Sequence, residues 1–161
     1  MNESVEKIKS GKEILKGLES EGLYVFHGSP FGDIETLEPR QALDSGQKDG
    51  DPGVSGSPYA DIAIFRSIIN ENIIKNQKYY SSFGSSNGKL FFKASSSIAD
   101  NLEDKVGYVY VFNKSDFQPY DRNGNVNEKN MEWRSYKPVK PRQVIEVNFD
   151  DLPDMEKIKL D

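Results

Sequence analysis

The chain has 161 residues, no cysteine and one histidine, with a formal net charge of −5 at pH 7 and a pI near 5.0. That length suits one domain around one core; the missing cysteines exclude disulfides, thiolate metal sites and a cysteine nucleophile, and the lone histidine excludes a multi-histidine metal site. The acidic balance argues against non-specific attraction to DNA or RNA, which depends on Lys and Arg neutralising phosphates, and leaves room for a small nucleotide in a local pocket.

Only 35% of the residues are hydrophobic, but nine Phe, eight Tyr and one Trp supply bulky core material, so the chain reads as folded with polar loops. Met1 to Glu21 is rich in Lys and Glu and lacks an apolar leader. No later stretch reaches the roughly 20 apolar residues of a membrane span. The sequence predicts a cytoplasmic protein without a membrane partner.

In chain order, residues from about 4 to 20 predict an amphipathic helix. Val5, Ile8, Ile14, Leu15 and Leu18 recur at mostly three- and four-residue spacings among Lys and Glu, with an interruption at Gly11 and a stop at Gly22. This helix is expected to pack as a lid. Leu23-Tyr24-Val25-Phe26 follows as a short buried strand, which sets His27 where the strand opens into a loop at His27-Gly28-Ser29-Pro30. From Phe31 to Gly53 there is one apolar-anchored turn at Ile34 and Leu37, then Glu38-Pro39-Arg40 and a polar run without periodicity. A loop of that length is functional or mobile. Val54-Ser55-Gly56 reads as a brief strand. Ser57-Pro58 then supplies an N-cap and a proline at the first helical position for a helix running through Phe65 to about Asn70.

Ile73 to Gly88 is polar and aromatic, and its end, Ser81 to Gly88, reads as turn-rich. Leu90-Phe91-Phe92-Lys93 looks like a strand. Gly107-Tyr108-Val109-Tyr110-Val111-Phe112, β-branched and aromatic, predicts a central strand followed by a turn at Lys114. Asp121 to Asn130 is a second polar loop with the turn signal Arg122-Asn123-Gly124-Asn125. Order resumes at Met131 to Tyr136, and Gln143 to Val147 forms a last strand with partial alternation. The tail from Asp150 is acidic, then Lys-rich, and is expected at the surface, as are the remaining charge clusters. This order predicts a single α+β domain over residues 1–161 with a largely antiparallel sheet.

Three residues are candidates to carry chemistry in this pattern. His27 is followed by Gly28, which lets a ligand approach the backbone, and by Ser29, which adds a hydroxyl, together a cradle for a sugar. The other reading is a histidine packed at a strand end against a carbonyl, and the residues leave both open. Glu132 stands between Met131 and Trp133, an apolar setting in which a carboxylate is costly unless paired or useful. Pairing with Arg134 or Lys137 is its structural alternative. Arg40 could hold a pyrophosphate bidentately, or be solvated.

Taken in order, Val25-Phe26-His27-Gly28-Ser29, Val54-Ser55-Gly56-Ser57-Pro58-Tyr59-Ala60 and Met131-Glu132-Trp133 leading to Val139 through Val147 resemble the three motifs of the ADP-ribosyltransferase fold of the His-Tyr-Glu type, that of diphtheria toxin and the poly(ADP-ribose) polymerases. The resemblance spans most of the chain. It implies a split sheet with flanking helices, NAD as substrate and no metal. His27 would bind the adenosine-side ribose with Gly28, Ser29 and Ser57 around the site, an aromatic ring, Tyr59 or Phe65, would stack on nicotinamide, and Glu132 would be the catalytic carboxylate; a core contact for Phe65 and packing at the helix start for Tyr59 are the structural alternatives for the two rings.

The implied reaction breaks the nicotinamide–ribose bond through an oxocarbenium-like transition state, with Glu132 stabilising the positive ribose and orienting a nucleophile. The acceptor could be protein, nucleic acid, a small molecule or water. Two residues before Glu132, where transferases of protein side chains often carry Glu or Gln, this chain has Asn130, so arginine-directed transfer is not implied. The rival from another class is a non-catalytic module that captures a nucleotide or a partner protein on the same fold.

Overall fold

The structure is a computed structural model and describes residues 8–44, 46–70 and 79–160. It is a small α+β domain. Helix α1 (Gly11–Glu21) leads into β1 (Tyr24–Ser29), a hairpin of β2 (Leu43–Asp44) and β3 (Gln47–Lys48), β4 (Val54–Gly56) and α2 (Ala60–Ile68). Then follow β5 (Ser81–Ser86), β6 (Lys89–Ser95), α3 (Ser96–Ala99), β7 (Val106–Asn113), β8 (Gln118–Tyr120), β9 (Glu132–Ser135), β10 (Gln143–Asn148) and β11 (Glu156–Ile158).

The strands form three three-stranded sheets, ordered β1-β7-β10, β4-β9-β8 and β11-β6-β5, beside the β2-β3 hairpin. Every pairing among them is antiparallel except β11 with β6. The expected α+β class with a mostly antiparallel arrangement is therefore met.

The apolar pattern of β7 explains how the layers stack. Val109 and Val111 join the cluster under α2 with Phe26, Ile64, Phe65 and Ile68, whereas Tyr110 and Phe112 face the opposite side with Val25, Trp133 and Val139. A strand covered on both faces reads as a continuous apolar run, not as an alternating one. The sheet β1-β7-β10 is thus the middle layer, with α2 on one face and the β4-β9-β8 sheet on the other. A backbone bridge ties these two sheets, Phe26 N–H donating to the Ser57 carbonyl at 2.7 Å and Ser57 N–H to that of Phe26 at 2.8 Å.

Helix α2 lies unusually close to β1. A Cβ on Gly28 would stand 2.1 Å from the Ala63 carbonyl oxygen, so only glycine lets the helix backbone settle there.

Several elements differ from the sequence reading. Helix α1 begins at Gly11, because the Ser10 hydroxyl caps it by accepting from Glu13 N–H at 3.1 Å; residues 8–10 are not helical, and 4–7 lie outside the described residues. It is no lid over the site. Its Glu19 carboxylate accepts from Ala60 N–H at 2.6 Å, and its Lys16 pairs with Asp61 at 3.0 Å, so it buttresses the start of α2. Because Glu19 satisfies that end, α2 starts at Ala60 and leaves Ser57-Pro58 outside it.

Strand β1 continues to Ser29, which puts His27 inside a strand, opposite Tyr110. Ser81 to Ser86 is a strand, joined to β6 by Asn87 and Gly88 at φ 52° and 78°. The tail is not merely a surface appendage. β11 pairs with β6, and Asp151, 4% exposed, accepts from the backbone N–H of Lys12 and of Asn148. Among the described residues no helix is long and apolar enough to cross a membrane.

Two glycines give opposite predictions. Gly28→Ala must push α2 away and should cost about 1–3 kcal/mol in denaturant unfolding. Gly17→Ala, inside α1 with nothing within 4 Å of the new methyl, should instead stabilise by about 0.4–1 kcal/mol. Equal effects at the two positions would contradict the close packing of α2.

Candidate functional site

Strand β4 lies between the strand that carries His27 and the strand that carries Glu132. The Phe26–Ser57 bridge holds it to β1, and its register with β9 sets Ser55 opposite Arg134 and Gly56 opposite Trp133. His27, Ser55 and Glu132 consequently line one cleft of about 420 Å³, together with Arg66 from α2, Phe83 from β5 and Met131.

His27 Nδ1 lies 2.6 Å from the Ser55 carbonyl oxygen. A carbonyl only accepts, so Nδ1 carries the hydrogen and donates, and in the neutral ring Nε2 is the acceptor. Among the described residues Nε2 has no hydrogen-bond partner. Burial lowers the imidazole pKa below its ordinary value, overcoming the opposing pull of the Ser55 carbonyl, and the charges of Arg40 and Arg66 push the same way. The ring is therefore held neutral at pH 7 with a lone pair available to a hydroxyl donor.

Glu132 is held from two sides. Its Oε2 accepts from Ser55 Oγ at 3.0 Å and from Arg134 Nε at 2.6 Å. Arg134, 2% exposed, also donates from Nη1 to the Asp49 carbonyl at 2.6 Å and from Nη2 to Asp49 Oδ2 at 3.2 Å, and its plane stacks 3.6 Å from the centre of the Tyr120 ring. Burial alone would lower the Arg134 pKa. The hydrogen bond and charge of Glu132, with Tyr120 and Asp49, outweigh it and raise the value. The Tyr120 hydroxyl donates to Asp49 Oδ1, and that bond raises the phenol's pKa. The pairing of Glu132 with Arg134, one of the alternatives legible in the sequence, is thus present, and it sits inside the cleft.

Arg66 is the cleft residue that sequence reasoning passed over. Its side chain is exposed to solvent, with the guanidinium 4.8 Å from the centre of the Phe83 ring, and partial desolvation against the cleft lowers its pKa over the opposing charges of Glu132 and Tyr79. The signal was present: within Ala60–Ile68 the apolar residues are all buried, and Arg66 is the one basic side chain among them.

The other residues expected at the site divide. Gly28 and Ser57 line the cleft, but Gly28 is spent on the approach of α2, and the buried Ser57 hydroxyl accepts from Tyr59 N–H. The Ser29 hydroxyl closes a local turn by accepting from Phe31 N–H. Arg40 pairs through its backbone with Gly53, and its exposed side chain is not part of the cleft wall, although its charge is felt at His27. Tyr59 lies in a separate hollow with Tyr24 and Lys129, its hydroxyl donating to the Lys129 carbonyl at 2.9 Å. Phe65 is 1% exposed and belongs to the core, packed on Phe92 and Phe83. Neither aromatic named from the sequence lines the cleft, because Tyr59 packs at the helix start beside a separate hollow and Phe65 is buried against the sheet; the rings of the wall are Phe26 and Phe83.

Among the described residues no group of three or more His, Cys, Asp or Glu side chains is arranged to hold a metal ion. No protein-family model, curated protein or solved structure matches the chain.

As the only histidine, His27 gives an isolated imidazole signal. Its NMR titration midpoint should fall below 6.5. The linked stability is fully present above pH 6.5 and is lost as the pH falls through the folded-state value, because the unfolded chain binds the proton more readily. His27→Gln should flatten that part of the stability profile. A midpoint at or above 6.5 would contradict the enclosed, neutral ring.

Proposed function

We propose that this chain is an NAD-dependent ADP-ribosyltransferase or NAD glycohydrolase that cleaves the bond between nicotinamide and ribose in the cleft of His27 and Glu132. One observation carries the reading. His27 and Glu132, from strands far apart in sequence, hydrogen-bond to the carbonyl and the hydroxyl of the same residue, Ser55, and so face one ligand-sized cavity. This is the juxtaposition that the resemblance to the His-Tyr-Glu transferases calls for. A cytoplasmic setting belongs to the same proposal.

In this reading the neutral His27 accepts a hydrogen bond from a hydroxyl of the adenosine-side ribose. Glu132 keeps Oε2 on Ser55 and Arg134 and turns its other oxygen to the nicotinamide-side ribose. The C–N bond breaks with its electron pair leaving on nicotinamide, and the fixed carboxylate stabilises the positive ribose as it forms. The ring contact with the base falls to Phe83, since Phe26, the other ring of the wall, is buried.

A second reading, a module that binds the nucleotide without turnover, draws support from the Glu132–Arg134 pair, which spends part of the carboxylate's charge inside the protein. The two readings separate in one set of assays. Glu132→Gln should keep the fold, as seen by circular dichroism, and cut nicotinamide release from NAD by at least about 100-fold, while leaving NAD affinity within a few-fold. His27→Ala should weaken NAD binding about tenfold by calorimetry. Undiminished release by Glu132→Gln overturns the enzyme reading; NAD binding by the unmodified protein with no release supports the module.

A further inference from the structure

Ser81-Ser82-Phe83-Gly84-Ser85-Ser86 is the free edge of the sheet β11-β6-β5. The turn at Asn87 and Gly88 sets Ser86 opposite Lys89, and in an antiparallel ladder pairs that exchange both backbone bonds alternate with pairs that exchange none. Ser82, Gly84 and Ser86 therefore bond to β6, while Ser81, Phe83 and Ser85 turn their N–H and C=O groups outward. Among the described residues none of these outward groups has a hydrogen-bond partner. A hollow of about 290 Å³ between Phe65 and Arg66 of α2 and the start of β5 leaves the edge open to an incoming backbone.

An open row of backbone donors and acceptors is a template for another strand, and proteins guard such rows with charge, proline or a bulge. The other ends of the three-stranded sheets are guarded. β10 carries the exposed Glu146, β8 carries Pro119, β11 carries Glu156 and Lys157, and backbone bridges from Phe26 to Ser57 and from Arg40 to Gly53 hold β1 and β4. β5 has no charged side chain, no proline and an unbroken register. It is also self-complementary. A two-fold axis at Phe83 sets Ser81 opposite Ser85 of a second copy, Phe83 opposite Phe83 and Ser85 opposite Ser81, so every outward residue meets an outward residue. Moving the axis to Ser82 or Gly84 leaves one of them facing a residue outside the strand.

We propose that β5 pairs antiparallel with β5 of a second copy about a two-fold axis at Phe83, giving a dimer with one continuous sheet, β11-β6-β5-β5-β6-β11. The outer strands of that sheet are the charged β11 strands, so association stops at two copies. Residues opposite each other in such a pair hold their Cα atoms about 5.5 Å apart with side chains on one face. Phe83 lines the cleft, so each copy brings a second ring beside the cleft wall of the other. The pairing does not depend on the NAD-cleaving reading. One short strand buries less than the roughly 1,200 Å² of a stable interface, and the net charge of −5 on each copy opposes contact, so the dimer is reversible and is strengthened by salt.

Sedimentation equilibrium of the whole chain from about 1 μM to 1 mM should show the average mass rising from 18.2 kDa toward twice that value, at lower concentration as salt is added. Ser85→Pro removes an outward N–H and no bond to β6, so it should keep the circular-dichroism spectrum and weaken dimerisation at least about tenfold. Because the chain has no cysteine, disulfide trapping reads the register directly. Ser81→Cys mixed with Ser85→Cys should cross-link under mild oxidation, since opposite Cα atoms at about 5.5 Å lie within disulfide reach. Ser85→Cys alone, whose two cysteines would lie four residues apart along the ladder, should not. A mass of 18.2 kDa at every concentration, undiminished association of a folded Ser85→Pro, or cross-linking of Ser85→Cys alone as readily as the mixture overturns the pairing. If Ser85→Pro unfolds, the cross-linking result decides.

Discussion

Ser55 uses its two polar groups in opposite senses. Its carbonyl accepts the His27 N–H, and its hydroxyl donates to Glu132, so a single residue of a three-residue strand fixes both halves of the cleft relative to each other. The arrangement depends on how tightly β4 sits against β1. A Cβ on Gly56 would stand 2.4 Å from Val25 Cγ1, so the glycine beside Ser55 sets the separation at which a 2.6 Å bond to His27 is possible. The middle sheet supplies the rigidity, since β7 is covered by apolar side chains on both faces and β1 is zipped along it from Tyr24 to Ser29.

The second constraint is electrostatic. A guanidinium as buried as that of Arg134 is tolerable only when its hydrogen-bond donors are satisfied, and removing one partner of such a pair is far more damaging than the pair is stabilising. Glu132 and Asp49 satisfy it while Tyr120 covers its face. Asp49 lies at the end of the β2-β3 hairpin, so the same ion network that orients Glu132 also ties the long segment after β1 to β9. Gln41 Nε2 closes that segment on the Gly50 carbonyl at 2.8 Å. A stretch without hydrophobic periodicity is ordered here by charge, and it forms one wall of the cleft through Ala42 and Leu43.

This division explains what could be read in the sequence. The strand over Val106–Asn113 and its central position were legible because a doubly covered strand needs an unbroken apolar run. Strand β5 was not, because Ser81-Ser82-Phe83-Gly84-Ser85-Ser86 lacks the β-branched residues that mark strands. Its one clear sign was Asn87-Gly88, the pair that two-residue hairpins favour. That omission hid Phe83, one of the two rings of the cleft wall.

His27 and Glu132 stood out for their settings, a polar group beside apolar neighbours. Arg66 was obscured by the helix around it and Arg40 promoted by proximity to His27 in sequence, yet the fold turns Arg66 into the cleft and leaves Arg40 outside its wall. Asp151 shows the same effect elsewhere: an acidic tail looks solvated until the backbone N–H groups of Lys12 and Asn148 are brought to it.

In the proposed site His27 and Glu132 grip one nucleotide from two strands joined at Ser55. A crystal structure with a carbocyclic NAD analogue, whose nicotinamide bond resists cleavage, tests this directly. The expected result is the analogue in the cleft, one ribose hydroxyl on His27 Nε2 and the other ribose on the Glu132 oxygen that Ser55 and Arg134 leave open. An analogue bound away from either residue, or no bound analogue at saturating concentration, would contradict it.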